Sequence, residues 1–208
     1  TGVQTCALPI SPCTPFALDR QGMNLGEAGA MLLLEPLPEA RQRRARIYGE
    51  IMGVGLSSDA YHMSAPDPQG NGAYLAMARA LEAAAISPEQ IEVISAHGTG
   101  TRQNDLSESR AIQRLFGAHS REIMVQASKS YCGHTLGAAG AVAVVSALSN
   151  LENQFIAPVL GLEQPDPQCG LRHPPARGAD CSLRTILVNA FAFGGNNCSL
   201  IIRKFDER

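Results

Sequence analysis

The sequence predicts an α/β fold with a mostly parallel sheet between helices. Three observations predict it. Short apolar runs alternate with helix-length stretches of 3.6-residue period. Three of those runs end in glycine-containing polar loops, at His97–Thr101, Lys129–His134 and Phe191–Asn197. The last two runs follow each other with no helix between them.

Taken in order, Met31–Glu35 reads as a short buried strand. Pro36 and Pro38 end it, because proline cannot donate to a ladder. A basic stretch holding Arg41, Arg43, Arg44 and Arg46 leads into a second run, Ile47–Val54. Ser57–Gly72 is a loop punctuated by Pro66, Pro68, Gly70 and Gly72. Ala73–Ile86 is a helix, with Tyr74, Met77, Leu81 and Ala84 at helical spacing. Ser87-Pro88 starts one short turn, and Ile91–Ser95 is a strand.

The loop His97–Asn104 then opens a helix. Asp105–Glu108 reads as a capping box with Asp105 in the cap role. That helix packs Ile112, Leu115 and Phe116 and stops at Gly117. Ile123–Gln126 is a strand and Ala127–Leu136 a second irregular loop. The helix Gly137–Asn153 is nearly all Ala, Val, Gly and Leu, which predicts burial on most sides. A proline-rich connector reaches Arg184, and the strands Thr185–Ala190 and Cys198–Arg203 flank a turn at Gly194-Gly195.

The chain has 208 residues, 45% of them hydrophobic, enough for one sizeable core. Its formal net charge of -2, from 17 basic and 19 acidic side chains, leaves no footprint for nucleic acid or an anionic membrane. No apolar stretch approaches a membrane span. Six cysteines without a C-x-x-C spacing argue against a disulfide scaffold or a zinc site and fit a reducing cytoplasm. Thr1–Ile10, TGVQTCALPI, has no periodicity and reads like a translated sequencing-library adapter joined to a gene fragment. Cys6 is therefore set aside as chemistry.

In open α/β sheets, ligands bind beyond the carboxyl ends of strands, where these polar clusters fall. Glycines beside the polar residues admit a substrate close to the backbone. Two histidines on such loops are able to hold one carbonyl or thioester oxygen through their N–H groups. Lys129, five residues before His134, biases the electrostatics there. Each cluster alone is weak, since an isolated histidine near a strand end is more often structural.

Together, Asn24–Ala28, Asp59–His62, Ala96–Thr101, Asn104-Asp105, Lys129, Gly133-His134, Leu136–Gly140 and Phe193–Gly195 carry a resemblance. From Pro12 to Arg203 the chain resembles the C-terminal half of the β-ketoacyl-acyl-carrier-protein synthases, thiolase-like condensing enzymes. The resemblance implies a layered thiolase-like fold with a mixed sheet between helices. It divides the chain into the tail 1–10, the end of the family's N-terminal half at 11–40, and the C-terminal domain at 41–208. It implies decarboxylative Claisen condensation in fatty acid or polyketide synthesis, with substrates on the phosphopantetheine of acyl carrier protein and no other cofactor.

By that resemblance, His97 and His134 are the two active-site histidines and stabilise the enolate oxygen. Lys129 is the family lysine, Glu108 its carboxylate partner, and Asp105 a supporting residue. Thr99 and Thr101 match positions that bind the phosphopantetheine arm. Phe193 matches the aromatic gate, and Gly194 lets its loop swing. No metal ligand set is implied: Ala143, Ser95 and Val188 stand where some relatives bind a structural cation, and the first and last offer no side-chain oxygen. Ala192 and Asn196 also replace usual residues of the gate loop, which favours a specialised synthase. The nucleophilic cysteine belongs to the family's first half, and none of the six cysteines has its context. Cys132 is read as loop filler.

Carrier protein and a homodimeric or ketosynthase heterodimeric partner follow from the resemblance. An acidic carrier is able to dock on the arginines at 41–46, although a solvated loop is the simpler reading. The alternatives are a non-catalytic chain-length-factor subunit and a plain α/β binding module. The second leaves the paired histidines unexplained.

Overall fold

The computed structural model describes residues 12–206, so the adapter reading of Thr1–Ile10 lies outside the described residues. In chain order the elements are α1 (Leu37–Gln42), β1 (Glu50–Ser58), α2 (Asn71–Ala84), β2 (Val93–Ser95), α3 (Arg102–Phe116) and β3 (Met124–Gln126). They continue with α4 (Lys129–Cys132), α5 (Ala139–Asn153), β4 (Phe155–Ile156), β5 (Ala179–Asp180), β6 (Thr185–Ala192) and β7 (Asn196–Arg203).

Five strands form one sheet in the order β1-β7-β6-β2-β3. The pairs β2–β3 and β2–β6 are parallel, while β6–β7 and β1–β7 are antiparallel. The sheet is thus mixed rather than mostly parallel, because β6 and β7 are joined by a tight turn instead of a crossover helix. β4 and β5 make a small separate ribbon inside the connector.

One face of the sheet is covered by α2 and α3. Its core holds Met77, Ala80, Ile94, Ile112, Leu187 and Ile201, all fully buried. Burial of each large side chain stabilises by about 1.5–3 kcal/mol. α2 sits so close to β1 that a Cβ on Gly55 would stand 1.9 Å from the Ala76 carbonyl oxygen. The other face carries α5 over Val93, Ile186, Val188 and Ile202.

Several expectations change. Met31–Glu35 forms no strand; Met31 is 95% exposed and Leu33 78%. A strand needs a hydrogen-bonding neighbour, and among the described residues none runs beside this segment. The arginine stretch begins in the short helix α1, and Arg43 and Arg46 pair with Glu35 and Glu152. α3 starts four residues earlier than expected, at Arg102, with Thr101 rather than Asp105 as its cap: Asn104 N donates to Thr101 Oγ1 at 3.3 Å. Asp105 therefore lies inside the first turn and is not the cap. α5 buries only a stripe, Ala143, Ala147, Asn150 and Leu151, because the sheet covers just one of its sides.

Candidate active site

The three polar clusters converge because β3, β2 and β6 are parallel neighbours. Strand neighbours lie about 4.8 Å apart, so loops leaving their carboxyl ends meet. His97 follows β2, Lys129 and His134 follow β3, and Phe191 and Phe193 sit at the end of β6 and just beyond it.

The two imidazoles stand edge to face, with ring centroids 5.5 Å apart at 83°. His97 is buried, and its Nδ1 faces two donors, Lys129 Nζ at 3.3 Å and the Phe191 N–H at 3.3 Å. His134 Nδ1 accepts the Leu136 N–H at 3.1 Å. With Nδ1 accepting, each neutral ring carries its proton on Nε2. Burial pushes the His97 pKa well below the ordinary value, and the Lys129 charge and His134 add to the effect. Burial, then Lys129, pushes His134 down to about 4. The pair is therefore neutral near pH 7 and offers two N–H donors.

Lys129 is itself buried, which lowers its pKa to about 8. Its ammonium donates to the His97 carbonyl. From the opposite side Glu108 Oε1 accepts the His97 N–H at 2.9 Å, and Oε2 accepts the Gly98 N–H at 3.0 Å. Lys129 and Glu108 thus clamp the His97 backbone between them and form no direct ion pair. This corrects the direct pairing expected from the sequence: the histidine backbone occupies the space between the charges. A bare buried carboxylate is costly, and N–H donors offset that cost.

His134 is strapped in place by Asn24–Gly26. The His134 N–H donates to the Asn24 carbonyl at 2.7 Å, and the Gly26 N–H to the His134 carbonyl at 3.1 Å. Gly26 is required there, since a Cβ would lie 1.8 Å from the Cys132 carbonyl oxygen. This gives the Asn24–Ala28 motif a physical role.

Asp105 supports the loop from beneath. It accepts the Phe16 N–H at 2.8 Å and the Gly100 N–H at 3.3 Å. Arg20, fully buried, lies 3.4 Å from Asp105 and 2.6 Å from Asp166. Burial raises Asp105 to about 6 despite these donors. Thr99 and Thr101 share a hydroxyl–hydroxyl hydrogen bond of 2.8 Å. Phe193 is 60% exposed, and Phe191 instead packs its ring 5.5 Å from His97. Gly194, at φ 79°, donates to the Met63 carbonyl at 2.7 Å. The Asp59 N–H donates to the Gly195 carbonyl at 2.8 Å, so the Asp59–His62 motif meets the Phe193 loop.

Sequence reasoning missed Arg20, Asp166 and Asn189, and it placed Phe191 in a polar loop without its contact to His97. Asn189 is the one polar residue inside the strand beyond its first residue, Thr185, and that was the signal that pointed to it. Among the described residues no group of three His, Cys, Asp or Glu side chains is placed to hold a metal. No helix among them is long and apolar enough to cross a membrane.

Residues 48–163, more than half of the chain, match the beta-ketoacyl synthase C-terminal domain. The chain is 40% identical over 197 residues to 3-oxoacyl-[acyl-carrier-protein] synthase 2 of Synechocystis, covering 95% of this chain and 47% of that protein. It superposes on the ishigamide ketosynthase/chain length factor with a TM-score of 0.93 at 38% identity, covering 98% of this chain and 49% of the other. A type II polyketide ketosynthase, solved with its acyl carrier protein and bound to the hexaketide, gives 0.88 at 34%, covering 94% and 48%. The chain spans about half the length of the curated relatives it matches. It adopts the thiolase-like ketosynthase fold and belongs to the beta-ketoacyl synthase family.

Proposed function

We propose that these residues supply the decarboxylating half of a β-ketoacyl-acyl-carrier-protein synthase. The observation that carries this reading is the imidazole pair, 5.5 Å apart, with both Nδ1 atoms engaged and both Nε2–H groups left to donate. When a malonyl thioester loses CO₂, the electrons of the breaking C–C bond pass to the thioester oxygen as an enolate. Two neutral donors, one on the buried His97 and one on the half-buried His134, are held in place and stabilise that charge without reorganising. The enolate carbon then attacks an acyl thioester held on a cysteine, and the thiolate leaves.

The acyl-bearing cysteine lies outside these 208 residues on our reading. Cys13 supports this: its thiol is buried, donates to the Thr99 carbonyl at 3.3 Å and is pushed up to about 11, the reverse of an activated nucleophile. Thr99 and Thr101 face the phosphopantetheine arm in this reading, and Phe193 with Gly194 forms the gate. Acyl carrier protein and a second ketosynthase-type subunit are the partners, in fatty acid or polyketide synthesis. The free thiols fit a cytoplasmic enzyme.

A second reading, a non-catalytic chain-length-factor subunit, is favoured by the likeness to the ishigamide ketosynthase/chain length factor. The intact His97, His134 and Lys129 set supports the enzyme instead. The test combines intact-protein mass spectrometry after acyl-carrier thioester treatment with a malonyl decarboxylation assay. The 208-residue chain should neither acylate nor extend; stoichiometric acylation at Cys13 or Cys132 with extension would overturn the reading. In the full-length protein, H97A or H134A should impair decarboxylation more than acyl transfer.

A further inference from the structure

We infer that Asn189 is a positioning residue for His97, acting through Glu108, and that Ser199 steadies the side chain through which it acts. This rests on the ketosynthase reading above. Asn189 and Ser199 are register partners on β6 and β7, and both are buried. The Ser199 hydroxyl donates to Asn189 Oδ1 at 2.7 Å. That leaves the amide nitrogen pointing at Glu108 Oε1, to which it donates at 3.0 Å. The same Oε1 accepts the His97 N–H at 2.9 Å. Sheet, carboxylate and histidine backbone therefore form one chain of hydrogen bonds. An ionised carboxylate only accepts, so Glu108 keeps the amide nitrogen toward itself, and the Ser199 hydroxyl steadies the amide oxygen on the far side.

The titratable groups around Glu108 come from three elements. α3 contributes Asp105, which shares the Asn104 amide with Glu108. α4 contributes Lys129, and the loop after β2 contributes His97. α2 presents Met77, which carries no charge and touches the Asn189 amide at 3.5 Å. Asn189 is the donor that the sheet itself brings to the carboxylate of the clamp. Without it, Glu108 holds His97 with one oxygen underpaired, and the imidazole loses its registry with His134.

The test uses the full-length protein, with decarboxylation of a malonyl-carrier thioester followed against pH. N189L removes the donor and should lower kcat roughly tenfold at every pH with KM little changed, a fraction of the roughly hundredfold that a full ångström of misplacement costs. N189D places a second carboxyl beside Glu108, and the two share one proton. While that proton is present it replaces the amide donor, so activity holds at low pH. As pH rises and the proton leaves, like charges repel, and kcat should fall roughly tenfold where the wild type does not. S199A should reduce kcat by about two- to fivefold without altering the pH profile, as expected for loss of one neutral hydrogen bond. Merely structural damage would lower the melting temperature without a new basic limb. An N189D profile parallel to wild type overturns the inference, as does wild-type kcat in N189L. If N189D fails to fold, wild-type kcat in S199A does the same. If the wild-type protein decarboxylates no faster than an H97A H134A double variant, the ketosynthase reading itself fails, and this inference with it.

Discussion

The two faces of the sheet are finished to different degrees. Beneath α2 and α3 the side chains close into a continuous core that includes Phe16, Met77, Ile94 and Ile112. On the α5 side, the outward flank of α5 stays open at Val145, and Ile51, Val54 and Leu56 of β1 are exposed. Met31, Leu33 and Leu34 are exposed as well. Exposed apolar side chains in such numbers mark where other protein surface packs. The difference teaches that the histidine site is built on the finished side: His97, Glu108 and Asp105 are anchored from α3, and only His134 reaches back toward α5.

The strongest way to break that contrast is to remove Arg20. R20A would leave Asp105 and Asp166 facing each other without their cation, and uncompensated buried charge costs about 3–5 kcal/mol. Urea denaturation should show that loss, and an unchanged midpoint would mean that the buried triad does not hold the loop. Next in size is I94A, which hollows out the finished core and should cost about 2–5 kcal/mol.

An effect of pH separates the faces further. His97, His134 and His173 all bind protons less readily folded than unfolded, chiefly through burial. Between the ordinary 6.5 and the folded value of about 4 for His134, the unfolded chain binds more protons. The histidine contribution to stability should therefore be full above pH 6.5 and fall as pH drops through that window, opposed in part by Asp105, which burial raises to about 6. H134Q should flatten part of the slope in a urea-midpoint series; a slope unchanged in that variant would argue that His134 is hydrated. The smallest effect belongs to the open face: V145S should change stability by no more than about 0.5 kcal/mol. A loss comparable to that of I94A would show that α5 is already covered.

Local pattern alone carried the elements whose residues repeat on one face. The helix around Met77, the helix ending at Gly117 and the paired final strands were legible, as were the polar loops at strand ends that hold His97, Lys129 and His134. Asp59 and the Asn24–Ala28 motif were visible only as resemblance, and structure supplied their partners, the Gly195 carbonyl and the His134 backbone. Met31–Glu35 has the composition of a strand, but strand formation is a pairing event and composition cannot supply the neighbour. The apolar α5 likewise announces burial, while only the packed chain decides how many of its sides are covered. Arg20, Asp166 and Asn189 sit far in sequence from the residues they hold, and a buried ion or amide leaves no period to read. The sequence by itself determined the two imidazoles and the loops that carry them. Tertiary structure decided which nitrogen of each ring donates, because that depends on backbone N–H groups and an ammonium brought to Nδ1 from other elements.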